Sequence, residues 1–175
     1  MSDVEHIKSY LKFYSDFPKK GVGFVDIFPL LRNPLVFETL ITHLTHRIAS
    51  DVIPTSPNKR DRRFLLGPVI ALRLGAAFVP VRKLGKLPGE CMRATFEKEY
   101  GTDEFEMQAD AIVPGQTVVI VDDILATGGS AAAAGELVAK QGGKVLQYLF
   151  IAEVTCLKGS TKLNAPSYSI TQLDE

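Results

Sequence analysis

Residues 118–121, Val-Val-Ile-Val, form an unbroken β-branched run. It leads directly into Asp122 and Asp123, then into the small residues Ala126, Thr127, Gly128, Gly129 and Ser130, and then into an alanine-rich segment, 131–140. A β-branched run without polar alternation predicts a strand covered on both faces, as in a parallel sheet. The alanine-rich segment should be helical. Strand, small-residue turn and helix, in that order, leave backbone N–H groups free to face an anion, and phosphate is the natural guest. No Gly-x-x-x-x-Gly-Lys-Ser/Thr is present, so the turn is not a P-loop. No Gly-x-Gly-x-x-Gly opens the helix, so it is not a dinucleotide fingerprint.

The paired acids narrow the guest. Two carboxylates beside a phosphate turn would repel the ligand unless something polyhydroxylated lies between them, and a ribose 5-phosphate meets that need. Its phosphate would take the amides and hydroxyls of residues 127–130, while Asp122 and Asp123 accept hydrogen bonds from the 2′- and 3′-hydroxyls. The plainer alternative is a core strand with a glycine turn, its aspartates solvated or capping the helix.

The rest of the chain sets the frame. Its 175 residues are enough for one domain with a sizeable core. A net charge of +0 argues against nucleic acid as the main partner. Cys91 and Cys156 are far apart and form no ligand set, which fits two reduced thiols in a cytoplasmic protein. No apolar run approaches the roughly 20 residues of a membrane span, and the amino terminus has no signal-peptide pattern, so a soluble protein away from membranes is expected.

Taken in order, Val4, Ile7, Leu11 and Tyr14 share one face of a predicted helix over 4–13, ended by Asp16-Phe17-Pro18. Gly23, Phe24 and Val25 lie on a glycine-flanked loop where Phe24 is either a core anchor or a ring that stacks on a flat ligand. Asn33-Pro34 should cap a helix from Leu35 to about Ile48, with His43 and His46 solvated. The run 54–63 is polar and proline-punctuated and reads as no central strand. Its Arg60, Arg62 and Arg63 fit an anion grip and a solvated loop equally well. A helix over 64–74 closes at Gly75, and a second buried strand covers 76–81. Arg82, Lys83 and Lys86, with Gly85 and Gly89 as hinges at a strand's carboxyl end, suggest a mobile lid carrying cations onto a polyphosphate. Residues 93–100 read as a hairpin arm, and Glu97, Glu99, Asp103, Glu104 and Glu106 mostly as surface charges. A turn over 111–116 feeds the central strand. Further strands are expected over 144–152 and 167–173, so the alternation of strands and helices predicts an α/β fold.

The pattern of four apolar residues, two acids and a Thr-Gly-Gly-Ser turn resembles the phosphoribosyl-pyrophosphate (PRPP) motif of type I phosphoribosyltransferases. Nearly the whole chain is similar to the adenine phosphoribosyltransferases. The match runs through Asp16-Phe17-Pro18, residues 21–27, residues 64–68, the segment 81–89 and Glu97-Lys98-Glu99-Tyr100-Gly101. The resemblance implies one domain over 1–175: a doubly wound, mostly parallel sheet flanked by helices, the type I phosphoribosyltransferase fold. It adds a hood over 1–34 and a flexible lid over about 82–106. The implied reaction is purine salvage, adenine plus PRPP giving AMP plus pyrophosphate. Mg²⁺ would be held mainly by PRPP and water, without direct protein ligands. A homodimer is implied as well.

Residue roles follow from the same resemblance. Asp122 and Asp123 would stabilise a cationic ribose, with Ala126, Thr127, Gly128, Gly129 and Ser130 on the 5′-phosphate. Arg82, Lys83, Lys86 and Arg62 would take pyrophosphate. Phe24 would stack on adenine while the backbones of Gly23 and Val25 read its edge. Glu99 would move the purine proton, with Tyr100 beside it in the lid. One stretch departs from the pattern: relatives carry Gly-Leu-Asp/Glu-Ser-Arg-Gly before the Phe that matches Phe64, where this chain has Pro57-Asn58-Lys59-Arg60-Asp61-Arg62-Arg63. Arg62 still aligns with the family arginine. A rebuilt loop would cost a strand and pyrophosphate affinity, and it favours an alternative function, an impaired paralogue acting as a PRPP- or nucleotide-binding regulator. Transfer to another base, such as xanthine or hypoxanthine, is a third reading that the hood residues oppose.

Overall fold

The structure is a computed structural model that describes residues 2–17, 19–20, 23–48, 53–57, 65–97 and 101–174. The β-branched run forms the middle of β7 (Thr117–Leu125), and its period of two sorts the domain into layers. Val119 and Val121, with Leu149 and Ile151 of β8 (Lys144–Val154), face one core. Val118 and Ile120, with Tyr148 and Phe150, face the other. The first core is closed by α1 (Asp3–Lys8), α2 (Phe28–Leu31), α3 (Pro34–His46) and α4 (Gly67–Leu74), and the second by α5 (Gly129–Lys140). A strand that feeds two cores cannot carry polar residues on either face, which is why the run is apolar without alternation.

Among the described residues the large sheet has the order β5-β6-β4-β3-β7-β8-β9, with β3 (Ile53–Pro57), β4 (Val79–Lys83), β5 (Cys91–Glu97), β6 (Thr102–Gln108) and β9 (Ser167–Leu173). Strands β4, β3, β7, β8 and β9 run parallel, and β6 and β5 extend the sheet as an antiparallel hairpin. This is the expected doubly wound, mostly parallel α/β sheet.

Local signals set the helix ends. Ser2 and Glu5 make a capping box on α1. Asn33 Oδ1 accepts from the N–H groups of Leu35 and Val36 at the start of α3. Gly75 ends α4 in the left-handed region at φ 62°. Gln141, just past α5, donates to the Gln108 carbonyl (2.6 Å) and accepts from Ile112 N–H (2.9 Å), tying that helix end to the hairpin. Lys140 Nζ also donates to the Arg93 carbonyl of β5, at 2.6 Å.

Five expectations need correction. The helix predicted over 4–13 stops at Lys8; Val4, Ile7 and Leu11 do join the first core, but Lys12–Tyr14 form β1, paired antiparallel with β2 (Phe24–Asp26). Tyr14, placed on the buried face by helical spacing, is exposed, because pairing with β2 replaces the last turns. The second error concerns residues 54–57, read as unfit for a central strand: β3 lies between β7 and β4. Its register explains the tolerance, since Ile53, Pro54 and Thr55 oppose β7 while Thr55, Ser56 and Pro57 oppose β4. Each proline is therefore matched on one side only, and its missing N–H costs little ladder. Third, within the acidic run read mostly as surface charges, Glu106 is an exception at 3% exposed. Fourth, His43 is half-buried, its Nε2 lying 2.6 Å from the Tyr168 hydroxyl. Burial, with Arg47 nearby, holds its pKa below the usual histidine range. The second buried strand also begins later than residue 76, at Val79.

Candidate active site

The two acids stand where β7 leaves its regular alternation. Residues 118–121 alternate between the cores, yet Ile124 packs with the first core and Leu125 with the second, opposite to their parity. Asp122 and Asp123 lie at that reversal, near the carboxyl end of β7, and both line a cavity there. Asp122 is 3% exposed and Asp123 half-buried. Each is held by the next residue in the chain. Asp123 N–H donates to Asp122 Oδ1 (2.8 Å), and Ile124 N–H donates to Asp123 Oδ1 (2.9 Å).

Residues 122–131 line a cavity of ≈ 200 Å³. Its floor is the turn into α5, where Gly128 is the N-cap at φ 78° and accepts from Ala132 N–H at 2.9 Å. Only glycine takes that backbone without strain. The first N–H groups of α5 therefore open onto the cavity, with the positive end of the helix dipole behind them. Asp122, Asp123, Ala126, Thr127, Gly128, Gly129 and Ser130 are thus brought together as expected from the sequence.

The cation-bearing segment is built differently. Lys83 Nζ is 2.9 Å from Asp103 Oδ2 across the β4–β6 pair. Arg82, half-buried, lies opposite Glu106 in the register. Glu106 Oε1 accepts from the backbone N–H groups of Lys86 (2.7 Å) and Leu87 (2.8 Å), so one buried carboxylate shapes the loop after β4. Burial alone would raise this carboxyl's pKa. Hydrogen bonds from the Leu87, Gly85 and Lys86 backbones, with Arg93 close by, outweigh that and hold it below the ordinary carboxylate value. The hairpin lies against the turn at Gly129, where an added Cβ would lie 3.0 Å from the Glu97 carbonyl oxygen and 3.4 Å from the Phe96 ring.

In the amino-terminal segment, Phe24 is half-buried with its ring edge-on to Phe17 at 4.9 Å. The Val25 side chain belongs to the first core, at 4% exposed, so its backbone is the part left to meet a ligand. Phe24, Arg82, Lys83 and Lys86 do not line the ≈ 200 Å³ cavity. Glu99, Tyr100 and Arg62 lie outside the described residues. Sequence reasoning missed Glu106, hidden in an acidic run. It also missed Gly159, whose backbone abuts the phosphate turn and which no motif marks.

A family model described as Phosphoribosyl transferase domain matches residues 69–172. The adenine phosphoribosyltransferase of Yarrowia lipolytica is 52% identical over 168 residues, covering 94% of this chain and 92% of that protein. The chain belongs to the adenine phosphoribosyltransferases. Adenine phosphoribosyltransferase 1 of Saccharomyces cerevisiae is 50% identical over 173 residues, covering 97% of this chain and 92% of its own. A crystal structure of the Saccharomyces cerevisiae adenine phosphoribosyltransferase, complexed with D-2,5-dideoxy-2,5-imino-altritol 1,6-bisphosphate and adenine, superposes at TM-score 0.89 and 48% identity. It covers 96% of this chain and 98% of that one. The fold is the type I phosphoribosyltransferase fold, and the turn 126–130 and the paired acids share one cavity.

Proposed function

We infer that the chain is a purine-salvage enzyme that transfers the 5-phosphoribosyl group of PRPP to adenine, giving AMP and pyrophosphate. The observation that carries this reading is the single cavity in which two fixed carboxylates adjoin a helix-start phosphate turn. The 5′-phosphate sits on residues 126–130, and the ribose hydroxyls donate to Asp122 and Asp123. The bond from C1 of the ribose to pyrophosphate breaks as positive charge builds on the ring, so paired carboxylates stabilise the oxocarbenium-like transition state more than the ground state. Arg82, Lys83 and Lys86, with Arg62, neutralise the departing pyrophosphate, and Lys83 exchanges its Asp103 partner for phosphate oxygen. Phe24 stacks on adenine, Gly23 and Val25 present backbone to its edge, and Glu99 in the lid beside Tyr100 takes the purine proton.

The residues fit Mg²⁺ as a co-substrate ion carried by PRPP. Two carboxylates on one cavity suit a hard cation that keeps its waters. Among the described residues no group of three or more His, Cys, Asp or Glu is placed to cage a metal. Bound magnesium supplies charge neutralisation on the pyrophosphate. Residues 1–34 act as a hood and about 82–106 as a lid. The enzyme works as a homodimer in the cytoplasm, a reading supported by its two free thiols for the compartment and by its family for the assembly. Among the described residues no helix is long and apolar enough to cross a membrane.

The regulator alternative drew on the altered 57–63 loop; β3 is in place before it, and the reading of an active enzyme is supported by relatives named as adenine phosphoribosyltransferases over nearly the whole chain. The test is direct. Labelled adenine with PRPP and Mg²⁺ should yield AMP, and hypoxanthine should not substitute. PRPP binding without AMP formation would overturn the reading and restore the regulator.

A further inference from the structure

The phosphate turn is not self-supporting. Gly159, buried, opens the short 3₁₀ segment Gly159–Lys162 between β8 and β9 and lies directly against residues 126–128. A methyl group on Gly159 would meet the Ala126 carbonyl oxygen and the Gly128 nitrogen, both closer than 3.0 Å. In return, a methyl group on Gly128 would meet the Gly159 carbonyl. All these neighbours are backbone atoms, so no side chain can swing aside to make room.

The chain is bent to achieve this approach. Lys158, directly before Gly159, has φ 49° and ψ 34°, a left-handed conformation unfavourable for lysine. Its carbonyl is fastened by Thr161, which donates both its N–H (3.1 Å) and its Oγ1 (2.7 Å). Backbone strain held by local hydrogen bonds thus presses a bare backbone onto the cavity floor.

We propose that Gly159 is a positioning residue for the 5′-phosphate, its backbone acting as the template on which the turn 126–128 is shaped. This rests on the reading of that turn as the ribose-phosphate cradle. A side chain at 159 would push Ala126 and Gly128 toward the cavity and misaim the N–H groups at the start of α5. The loss would fall on phosphate-bearing ligands and spare pyrophosphate.

Calorimetric titration of wild type, Gly159→Ala and Gly143→Ala with ribose 5-phosphate and with pyrophosphate tests it. Gly143 is the control, a half-buried, crowded glycine away from the cavity whose nearest neighbours are side chains. Its added methyl would also clash, with Ile112 and Val138 at 2.9 Å, but beyond the other end of α5. Gly159→Ala should raise Kd for ribose 5-phosphate by about tenfold or more, the scale of an overpacked backbone contact. Gly143→Ala should leave it unchanged while lowering Tm, and neither should move Kd for pyrophosphate. Equal affinity in Gly159→Ala, equal loss in both variants, or no binding of ribose 5-phosphate by wild type would overturn the proposal. Should Gly159→Ala not fold, hydrogen exchange in wild type decides. Ribose 5-phosphate should slow exchange at 158–162 together with 126–130, and slowing confined to 126–130 would overturn it. Failure of wild type to make AMP while it binds ribose 5-phosphate would sink the activity and leave this inference standing.

Discussion

The phosphate turn and the cation-bearing hairpin meet at Gly129, yet they keep their shapes by opposite means. The turn is shaped by backbone against backbone, Gly128 against Gly159, with φ 78° at the N-cap. The hairpin is shaped by charge: Glu106 collects two backbone N–H groups from the loop after β4, and Lys83 pairs with Asp103 at 2.9 Å. Steric shape does not respond to salt or pH, whereas charge-held shape responds to both. A part that must grip one constant group can be rigid. A part that must take up and release a polyanion is better held by contacts a polyanion can compete for.

Four experiments would break or sharpen this contrast. The largest effect is expected at the paired acids. Asp122→Asn with Asp123→Asn should lower kcat/KM by at least about 10²-fold, the scale of lost transition-state charge stabilisation. Tm should change little, and near-normal rates would remove the assigned role. Next, Gly128→Ala adds left-handed strain to a clash with Gly159, so Kd for AMP should rise by about tenfold or more. The rise should be the same at low and high salt; a salt-dependent loss would blur the contrast. Smaller is the effect of Glu106→Ala, which leaves the Lys86 and Leu87 N–H groups without this acceptor, at about 1–3 kcal/mol. It should lower Tm and raise KM for PRPP, and Glu106→Gln should recover part of both by restoring an acceptor.

The sign of the pH effect follows from the lowered Glu106 pKa. Its contribution is complete above the unfolded value, near 4.5, and is lost as pH falls through the lower folded value. The Tm gap between wild type and Glu106→Gln should therefore be constant near neutrality and close on acidification below that range. A gap that widened in acid would contradict the charge-held hairpin. Smallest is Asp103→Asn, which removes a partly exposed ion pair worth at most about 1 kcal/mol. Its effect on Tm should shrink further in high salt.

The same division governs what was legible in the sequence. Residues 118–130 carry their structure in plain composition, because a strand feeding two cores must be apolar and a helix-start anion site must be small. The resemblance extended that reading to the whole fold. The sequence was misleading where pairing decides: Lys12–Tyr14 kept helical spacing but paired with β2, and the prolines of β3 were tolerated through a half-and-half register. Glu106 and Gly159 were silent for another reason. A buried carboxylate inside an acidic run, or a glycine after a lysine, has no local mark of the distant backbone it will meet.

The register of β3 also bears on how the domain comes apart. Among the described residues Thr55 is the residue of β3 opposed on both sides, so β3 joins β4 and the hairpin on one side to β7, β8 and β9 on the other through a staggered register. Helix α5 packs on β5 and β6 as well as on β7 and β8, and acts as the splint across that join. A splint with an anion site at its end makes ligand binding and cooperative unfolding one linked equilibrium. Occupying the turn at Gly128 should therefore slow amide exchange on both sides of β3, including strands that never touch the ligand.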